Sequence, residues 1–124
     1  MKNVRDTAVA NHKSGLNCAQ SVLGALEDLT RLDSETAKNI SEGFGGGLRC
    51  GEVCGSVSGA VMALGLAGEH PTAPLAKGFC EAFQAEFGFI RCQDLLEKFD
   101  GKGHCDDFIM YCAEKAQEML KGEQ

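Results

Sequence analysis

The chain has 124 residues, of which 44% are hydrophobic, and it carries a formal charge of −6. This length fits one domain, residues 1–124, that can bury about two-thirds of the surface exposed by the unfolded chain. The basic residues are scattered singly, so no positive patch could neutralise a row of phosphates, and nucleic acid is excluded as an expected partner.

The sequence also bears on where the protein works. Its first stretch, MKNVRDTAVANHKSG, lacks the apolar core of a signal peptide. The longest apolar run, residues 53–68, is shorter than the roughly 20 residues that span a bilayer. We therefore expect a cytoplasmic protein without membrane insertion. In that reducing compartment, the seven cysteines are expected to serve metal binding, thiol chemistry or simple burial rather than a disulfide scaffold.

The first half of the chain predicts three helices. The first runs from Val4 to about His12, and the second follows in NCAQSVLGALEDL, where Asn17 can cap and Gln20 can complete a capping box. A third helix begins at residue 33 or 34, where Asp33 or Ser34 can cap it. Its predicted buried face consists of Ala37, Ile40 and Phe44.

A glycine-rich stretch, GFGGGLRCGEVCGSVSGAVMALGLAG, covers residues 43–68. It ends the third helix and starts an uncharged fourth helix near Gly51, and an uncharged helix is normally a buried one. Gly51, Gly55 and Gly59 recur every four residues, which lets another backbone approach closely. That backbone can belong to the same molecule or to a second copy, and we expect a homodimer.

Three further helices are predicted in the second half. One runs from Leu75 to about Phe87, a short one begins at CQDLL, and a last amphipathic one begins at Cys105 after the loop DGKGH. The inward residues of the last helix are predicted to be Phe108, Ile109, Cys112, Ala116 and Met119. The predicted fold class is all-α, a compact single-domain bundle of five to six helices around the central apolar Gly-rich helix.

Four cysteines fall at predicted helix starts: Cys18, Cys54, Cys92 and Cys105. A helix N-terminus presents unpaired N–H groups and a partial positive charge, which favour the thiolate and lower a cysteine pKa. Such thiols are nucleophilic, redox-active or ready to bind a metal. By contrast, Cys80 and Cys112 lie on apolar helix faces and are interpreted as core residues.

Other motifs are absent or weak. No CxxC pair occurs, which excludes a zinc ribbon or a thioredoxin motif, and GFGGG lacks the GK[ST] of a phosphate-binding loop. Cys50 would share a face with Cys54 if the fourth helix reached it. His12 and His70 are interpreted as surface residues, while His104, beside Cys105, is kept as a candidate base or ligand.

At these positions the sequence resembles the C_GCAxxG_C_C family of redox-active proteins with four characteristic cysteines. NCAQSVL is similar to the family's first cysteine segment, GFGGG followed by CGSVSGAVMALGL to its central motif, and CQDLL and CDDFIMYCAEKA to its third and last. The resemblance spans nearly the whole chain and marks the same four cysteines, with Gly55 and Gly59 beside the second. Ser56 stands where the family usually has alanine. The resemblance implies a helical fold with redox or metal chemistry, and related domains in electron-transfer proteins suggest an iron–sulfur role.

Three hypotheses follow for the function. In the first, converging helix N-termini hold Cys18, Cys54, Cys92 and Cys105 around a metal ion or iron–sulfur cluster for electron transfer, and Gly55 and Gly59 let the chain approach this cofactor. In the second, no metal is bound, and Cys54 attacks as a nucleophile while Cys18 resolves the disulfide. In the third, a structural or small-molecule-binding bundle contains inert cysteines. The first two imply a redox partner protein.

Overall fold

The computed structural model describes residues 3–99 and 104–122, and within these ranges the chain forms eight α-helices and no β-strand. The all-α prediction is therefore confirmed. The helices in these ranges number more than the five or six predicted, in part because the predicted second helix is divided into Cys18–Ala25 and the single turn Glu27–Thr30. In chain order the helices are α1 (Val4–Lys13), α2 (Cys18–Ala25), α3 (Glu27–Thr30), α4 (Ser34–Ser41), α5 (Gly55–Ala67), α6 (Ala73–Phe87), α7 (Cys92–Lys98) and α8 (Cys105–Gly122). Most of the predicted loop DGKGH, residues 100–103, lies outside the described residues.

The start of α2 is fixed by the predicted capping box. The Asn17 side chain accepts the N–H of Gln20 at 2.9 Å, and the Gln20 side chain accepts the N–H of Asn17 at 2.9 Å. Asn17 Nδ2 also donates to the carbonyl of Glu42 at 2.9 Å. Asn17 thus satisfies one of the exposed N–H groups at the start of α2 and ties this helix end to the segment after α4. The capping box and the hydrogen bond to Glu42 together hold the start of α2 in place, and Cys18 is the first residue of that helix.

The uncharged helix α5 lies at the centre of the fold, as predicted. Its residues Val57, Ala60, Ala63 and Leu64 are buried, and it packs against α2 and α8. A Cβ atom on Gly59 would stand 2.6 Å from the carbonyl oxygen of Ala19, so the backbones of α2 and α5 touch there. Gly59 therefore serves a helix contact within the molecule. The recurring glycines no longer argue for a second copy of the chain, and the homodimer stays a prediction.

The predicted start of α5 near Gly51 is wrong. The helix begins at Gly55, and Gly51 lies in the preceding loop with φ of +80°. In that loop Gly46, Gly47, Leu48 and Arg49 all have positive φ, between 59° and 68°. Four residues in the left-handed region cannot continue a right-handed helix.

The buried face of α4 also differs from the prediction. Ala37 and Ser41, four residues apart, point inward, and Ser41 Oγ donates to the carbonyl of Ala37 at 2.6 Å. Ile40 is 54% exposed. The helix is thus rotated so that a small polar residue with a local hydrogen-bond partner fills the inner position.

Aromatic residues close the core between α6 and α8. Phe83 is fully buried, and its ring centroid lies 6.0 Å from those of Phe108 and Tyr111 in edge-on contacts. On α8 the predicted inward residues Phe108, Ile109, Cys112 and Ala116 are buried, and Met119 is half-buried. None of the helices in the described ranges is long and apolar enough to cross a membrane.

Candidate thiol site

The structure brings the four cysteines of the predicted site to one cavity of about 360 Å³. Each stands at a helix start: Cys18, Cys92 and Cys105 are the first residues of α2, α7 and α8, and Cys54 is the residue just before α5. Four helix N-termini therefore open onto the same space. Cys54 is buried and the other three are half-buried.

A short backbone pairing couples the second and third of these cysteines. The N–H of Cys54 donates to the carbonyl of Ile90 at 2.8 Å, and the N–H of Cys92 donates to the carbonyl of Glu52 at 2.6 Å. Between them Val53 forms an isolated antiparallel bridge with Arg91. The starts of α5 and α7 are thus locked together. A bridge of one residue pair has no alternating sequence pattern, so sequence analysis could not have found it.

Cys18 and Cys54 are neighbours at the start of α5. A Cβ atom on Gly55 would stand 2.5 Å from Cys18 Sγ and 2.7 Å from the carbonyl oxygen of Phe44. The Cys18 thiol therefore occupies the space that a side chain at residue 55 would need, directly beside Cys54. The glycine at this position therefore leaves room for the Cys18 thiol next to the start of α5.

The environment of Cys54 contradicts the expectation of a lowered pKa. Cys54 is 5% exposed, and its burial, with the nearby Cys18 as the second cause, raises the pKa of its thiol to about 12. Hydrogen bonding with Ser56 and Val57 works in the opposite direction but does not outweigh these effects. Desolvation thus raises the pKa of this thiol by more than the helix start lowers it, and the expected lowering of the Cys54 pKa is wrong.

Ser56 lies on the wall of the same cavity. Its side chain is fully buried, and its hydroxyl makes no hydrogen bond of normal geometry with any residue in the described ranges. The hydroxyl is nevertheless near enough to Cys54 to oppose the rise of that thiol's pKa. A polar atom buried in this way normally has a partner, so the position of this residue at the wall of a cavity is informative.

Sequence analysis missed two further groups at the cavity. Arg49 lines it from the left-handed loop and donates from an Nη atom to the carbonyl of Glu42 at 2.9 Å. His12 also lines it, and its Nδ1 lies 2.7 Å from Asp106 Oδ1, which joins α1 to α8. His12, interpreted from the sequence as a surface residue, is thus half-buried and paired with Asp106 at the edge of this cavity. His104, the histidine kept as a candidate, does not line this cavity and pairs with Asp107 at 3.0 Å.

The remaining three cysteines stay outside the cavity lining. Cys50 is exposed in the loop before α5, so it does not share a helix face with Cys54. Cys112 is fully buried, and burial raises the pKa of its thiol well above the ordinary value, with the charges of Cys54, Cys18 and Cys80 adding to the effect. Cys80 is half-buried against the core. The interpretation of Cys80 and Cys112 as packing residues agrees with this placement.

Among the described residues, the four thiols are not grouped as the ligands of one metal ion would be. Thiolate ligands lie about 2.3 Å from a bound metal, so the ligands of one ion must be clustered tightly. Across residues 3–99 and 104–122, no group of three or more His, Cys, Asp or Glu side chains is close enough together to hold a metal ion. Sharing a cavity is therefore a weaker arrangement than the converging ligand set that we expected.

Comparison with known proteins gives one match. The model of a family described as "Putative redox-active protein (C_GCAxxG_C_C)" matches residues 16–119. This range includes all four cavity cysteines and the glycines before and within α5. No curated protein and no solved structure matches the chain.

Proposed function

Since the chain belongs to the C_GCAxxG_C_C family of redox-active proteins, we propose that it is a dithiol–disulfide oxidoreductase whose redox pair is Cys18 and Cys54. One observation carries this proposal. Cys18 Sγ packs against Gly55, immediately beside Cys54, at a cavity that gives access to the Cys18 thiol. A redox pair requires two sulfurs that can bond without rearranging the fold. Cys18 Sγ lies against the residue that follows Cys54, at a helix start that is held by backbone contacts, which supports this pairing.

The two thiols have different environments, which assign them different roles. Cys18 is half-buried and lines the cavity, so a substrate disulfide can reach it. Cys54 is almost completely buried and keeps its proton, since its pKa is raised to about 12. Cys18 is therefore the attacking thiol and Cys54 the resolving one, which reverses the order expected from sequence.

The reaction proceeds in two exchanges. The Cys18 thiolate attacks one sulfur of a substrate disulfide, the substrate S–S bond breaks, and one substrate thiolate leaves with the electron pair. The Cys54 thiol then gives up its proton to that thiolate and attacks Cys18 Sγ, which expels the second substrate thiolate. The second substrate thiolate takes its proton from water, which replaces the proton that Cys18 lost on forming its thiolate. The substrate thus gains two electrons and two protons, and the protein is left with a Cys18–Cys54 disulfide. The Ser56 hydroxyl stabilises the Cys54 thiolate as it forms.

A trapping experiment tests these roles. Reduced Cys54→Ser protein mixed with a small disulfide is expected to accumulate a mixed disulfide on Cys18, because the resolving thiol is gone. The wild-type protein should pass to the internal disulfide. Cys112→Ser, which removes another buried thiol, is the matched control and should resolve like wild type. Intact-mass measurement and peptide mapping locate the adduct. An adduct on Cys92 or Cys105, or none at all, would contradict the proposal.

The iron–sulfur hypothesis requires a different arrangement of the same cysteines. A cluster of this kind is held by four cysteine thiolates, so it would need all four cavity thiols at once. Their spacing among the described residues does not supply such a set, and the proposed reaction therefore contains no metal step. Assays for iron and acid-labile sulfide on protein purified without oxygen test this point. Stoichiometric amounts of both, lost in Cys54→Ser, would favour the cluster over the dithiol.

A further inference from the structure

The size of the cavity bears on which disulfide reacts there. Its volume of about 360 Å³ lies within the range of about 300–1,000 Å³ that is usual for small-molecule sites. Cys54 on its wall is only 5% exposed, and Cys18 is half-buried. A concave site of this size suits a compact molecule better than a disulfide held in the rigid surface of another protein.

The charge of the cavity is opposite to that of the chain. The chain has 18 acidic residues and a net charge of −6. Yet no Asp, Glu or Lys is found among the described residues that line the cavity, and Arg49 is the permanent cation there. The His12 ring on the wall is already joined to the Asp106 carboxylate. Arg49 is therefore the charge on the wall with which an anionic group can pair.

Arg49 is also available to bind such a group. Its guanidinium makes one hydrogen bond, to the carbonyl of Glu42, and no carboxylate among the described residues pairs with it. A guanidinium has five N–H donors in a planar fork that matches the two oxygens of a carboxylate. The donors that remain can therefore bind a carboxylate at the cavity.

Backbone strain fixes Arg49 in this place. Leu48 and Arg49 have φ of 59° and 61°, and the left-handed region is uncommon for residues other than glycine. They complete a turn begun by Gly46 and Gly47 in the same conformation. Strained residues of this kind concentrate at ligand-binding and catalytic sites, where positioning of a side chain matters more than local stability.

A second polar group, the Ser56 hydroxyl, lies on the cavity wall beside the Cys54 thiol. The Ser56 hydroxyl is fully buried and, as far as the chain is described, without a hydrogen bond of normal geometry. A bound molecule with an acceptor atom next to Cys54 would satisfy it. Arg49 and Ser56 thus mark two separate points of recognition, one for a carboxylate and one for an atom close to the reacting sulfurs.

We propose that the substrate is a low-molecular-weight disulfide that carries carboxylate groups, bound through Arg49 so that its S–S bond faces Cys18. This inference rests on the proposed function and adds its substrate class. The exchange is the one described above: one substrate disulfide is reduced to two thiols while the dithiol of Cys18 and Cys54 is oxidised. Arg49 takes no part in the bond changes and positions the substrate.

Three disulfides of similar length and different charge test this inference. They are 3,3′-dithiodipropionate with two carboxylates, cystamine with two ammonium groups, and neutral 2-hydroxyethyl disulfide. The measured quantity is the rate of Cys18–Cys54 disulfide formation in reduced protein, divided by the rate of each compound with a small free thiol to remove intrinsic reactivity. We expect the dicarboxylate to exceed the neutral compound by about tenfold at limiting concentration. A net charge of −6 acting alone would favour cystamine, so the expected order cannot arise from overall charge.

Arg49→Gln should reduce the normalised rate with the dicarboxylate to about the rate that the wild-type protein shows with the neutral disulfide. Arg31→Gln is the matched control, since Arg31 is another exposed arginine with a left-handed backbone, at φ of 64°, and does not line the cavity. Added salt should slow the wild-type reaction with the dicarboxylate, which tests the same interaction without any substitution.

The outcomes separate this inference from the proposed function. Equal normalised rates for the three compounds, or cystamine as the fastest, would overturn the substrate class while leaving the redox pair intact. Reaction of Cys18 with a protein disulfide but with none of the three compounds would also overturn it. If Cys18 reacts with neither kind of disulfide, the proposed function itself is wrong.

Discussion

The close contact between α2 and α5 is what places Cys18 beside Cys54, and Gly59→Ala tests it. A Cβ atom at this position would stand 2.6 Å from the carbonyl oxygen of Ala19, and 3.3 Å from its Cα. Ordinary contact begins near 3.4 Å. Because the atoms met are backbone, no side-chain rotation relieves the overlap, and α2 must move away by several tenths of an ångström.

The expected change in stability is the difference of two effects. Alanine is more favourable than glycine inside a helix by about 1 kcal/mol. Overpacking against backbone costs about 3 kcal/mol, the upper end of the usual range. Gly59→Ala should therefore lower the free energy of unfolding by about 2 kcal/mol, and the thermal midpoint by about 8 °C for a chain of this size.

Gly65→Ala is the matched control because it makes the same substitution in the same helix. Its Cβ atom would stand 3.8 Å from Thr72 Oγ1, an ordinary contact, so the helix propensity should dominate. We expect a gain of about 0.5–1 kcal/mol. Urea unfolding followed by circular dichroism measures both variants. If Gly59→Ala were as stable as Gly65→Ala, the close contact of α2 with α5 would be refuted.

Three further predictions concern the site and its support. Ser56→Ala removes a buried hydroxyl whose desolvation costs about 1–3 kcal/mol, so the thermal midpoint of the variant should equal or exceed that of wild type. Closure of the Cys18–Cys54 disulfide should slow, because the hydroxyl no longer stabilises the Cys54 thiolate. A loss of several degrees in the midpoint would contradict this reasoning. The raised pKa values of Cys54 and Cys112 mean that these thiols stay protonated in the folded protein above pH 9, where unfolded thiols ionise. The free energy of unfolding should therefore fall as pH rises from about 9 towards 12, by about 1.4 kcal/mol per pH unit for each thiol. Urea unfolding at several pH values should show a smaller fall with pH for Cys112→Ala than for wild type. An equal fall would count against a buried, protonated Cys112 thiol. Asn17→Ala removes the capping box and should destabilise the fold by about 1–2 kcal/mol in the same assay, whereas an unchanged midpoint would show that the cap contributes nothing.

Much of the helical framework was predictable because its signals are local. The cap of α2 depends on Asn17 and Gln20, three residues apart, and the inner face of α8 follows from the spacing of its apolar residues. Such contacts form within one or two helical turns, so the sequence contains them directly. The four cysteines at helix starts were found for the same reason.

The start of α5 and the behaviour of Cys54 were not predictable in this way. Leu48 and Arg49 adopt positive φ, although neither residue type favours it, so nothing in the sequence indicates the left-handed loop. The pKa of Cys54 depends on how much of the thiol is buried by distant segments. The sequence showed that this thiol lies at a helix start, which lowers a cysteine pKa. Only the packed structure shows that desolvation raises the pKa of Cys54 by more than the helix start lowers it.

The central claim is that Cys18 and Cys54 alone form the redox pair, and an equilibrium redox titration with disulfide mapping tests it most directly. The wild-type protein should show one two-electron transition that ends in a Cys18–Cys54 disulfide. The Cys92→Ser, Cys105→Ser double variant should keep this transition, and Cys18→Ser should lose it. Loss of the transition in the double variant, or a mapped disulfide between other cysteines, would contradict the account.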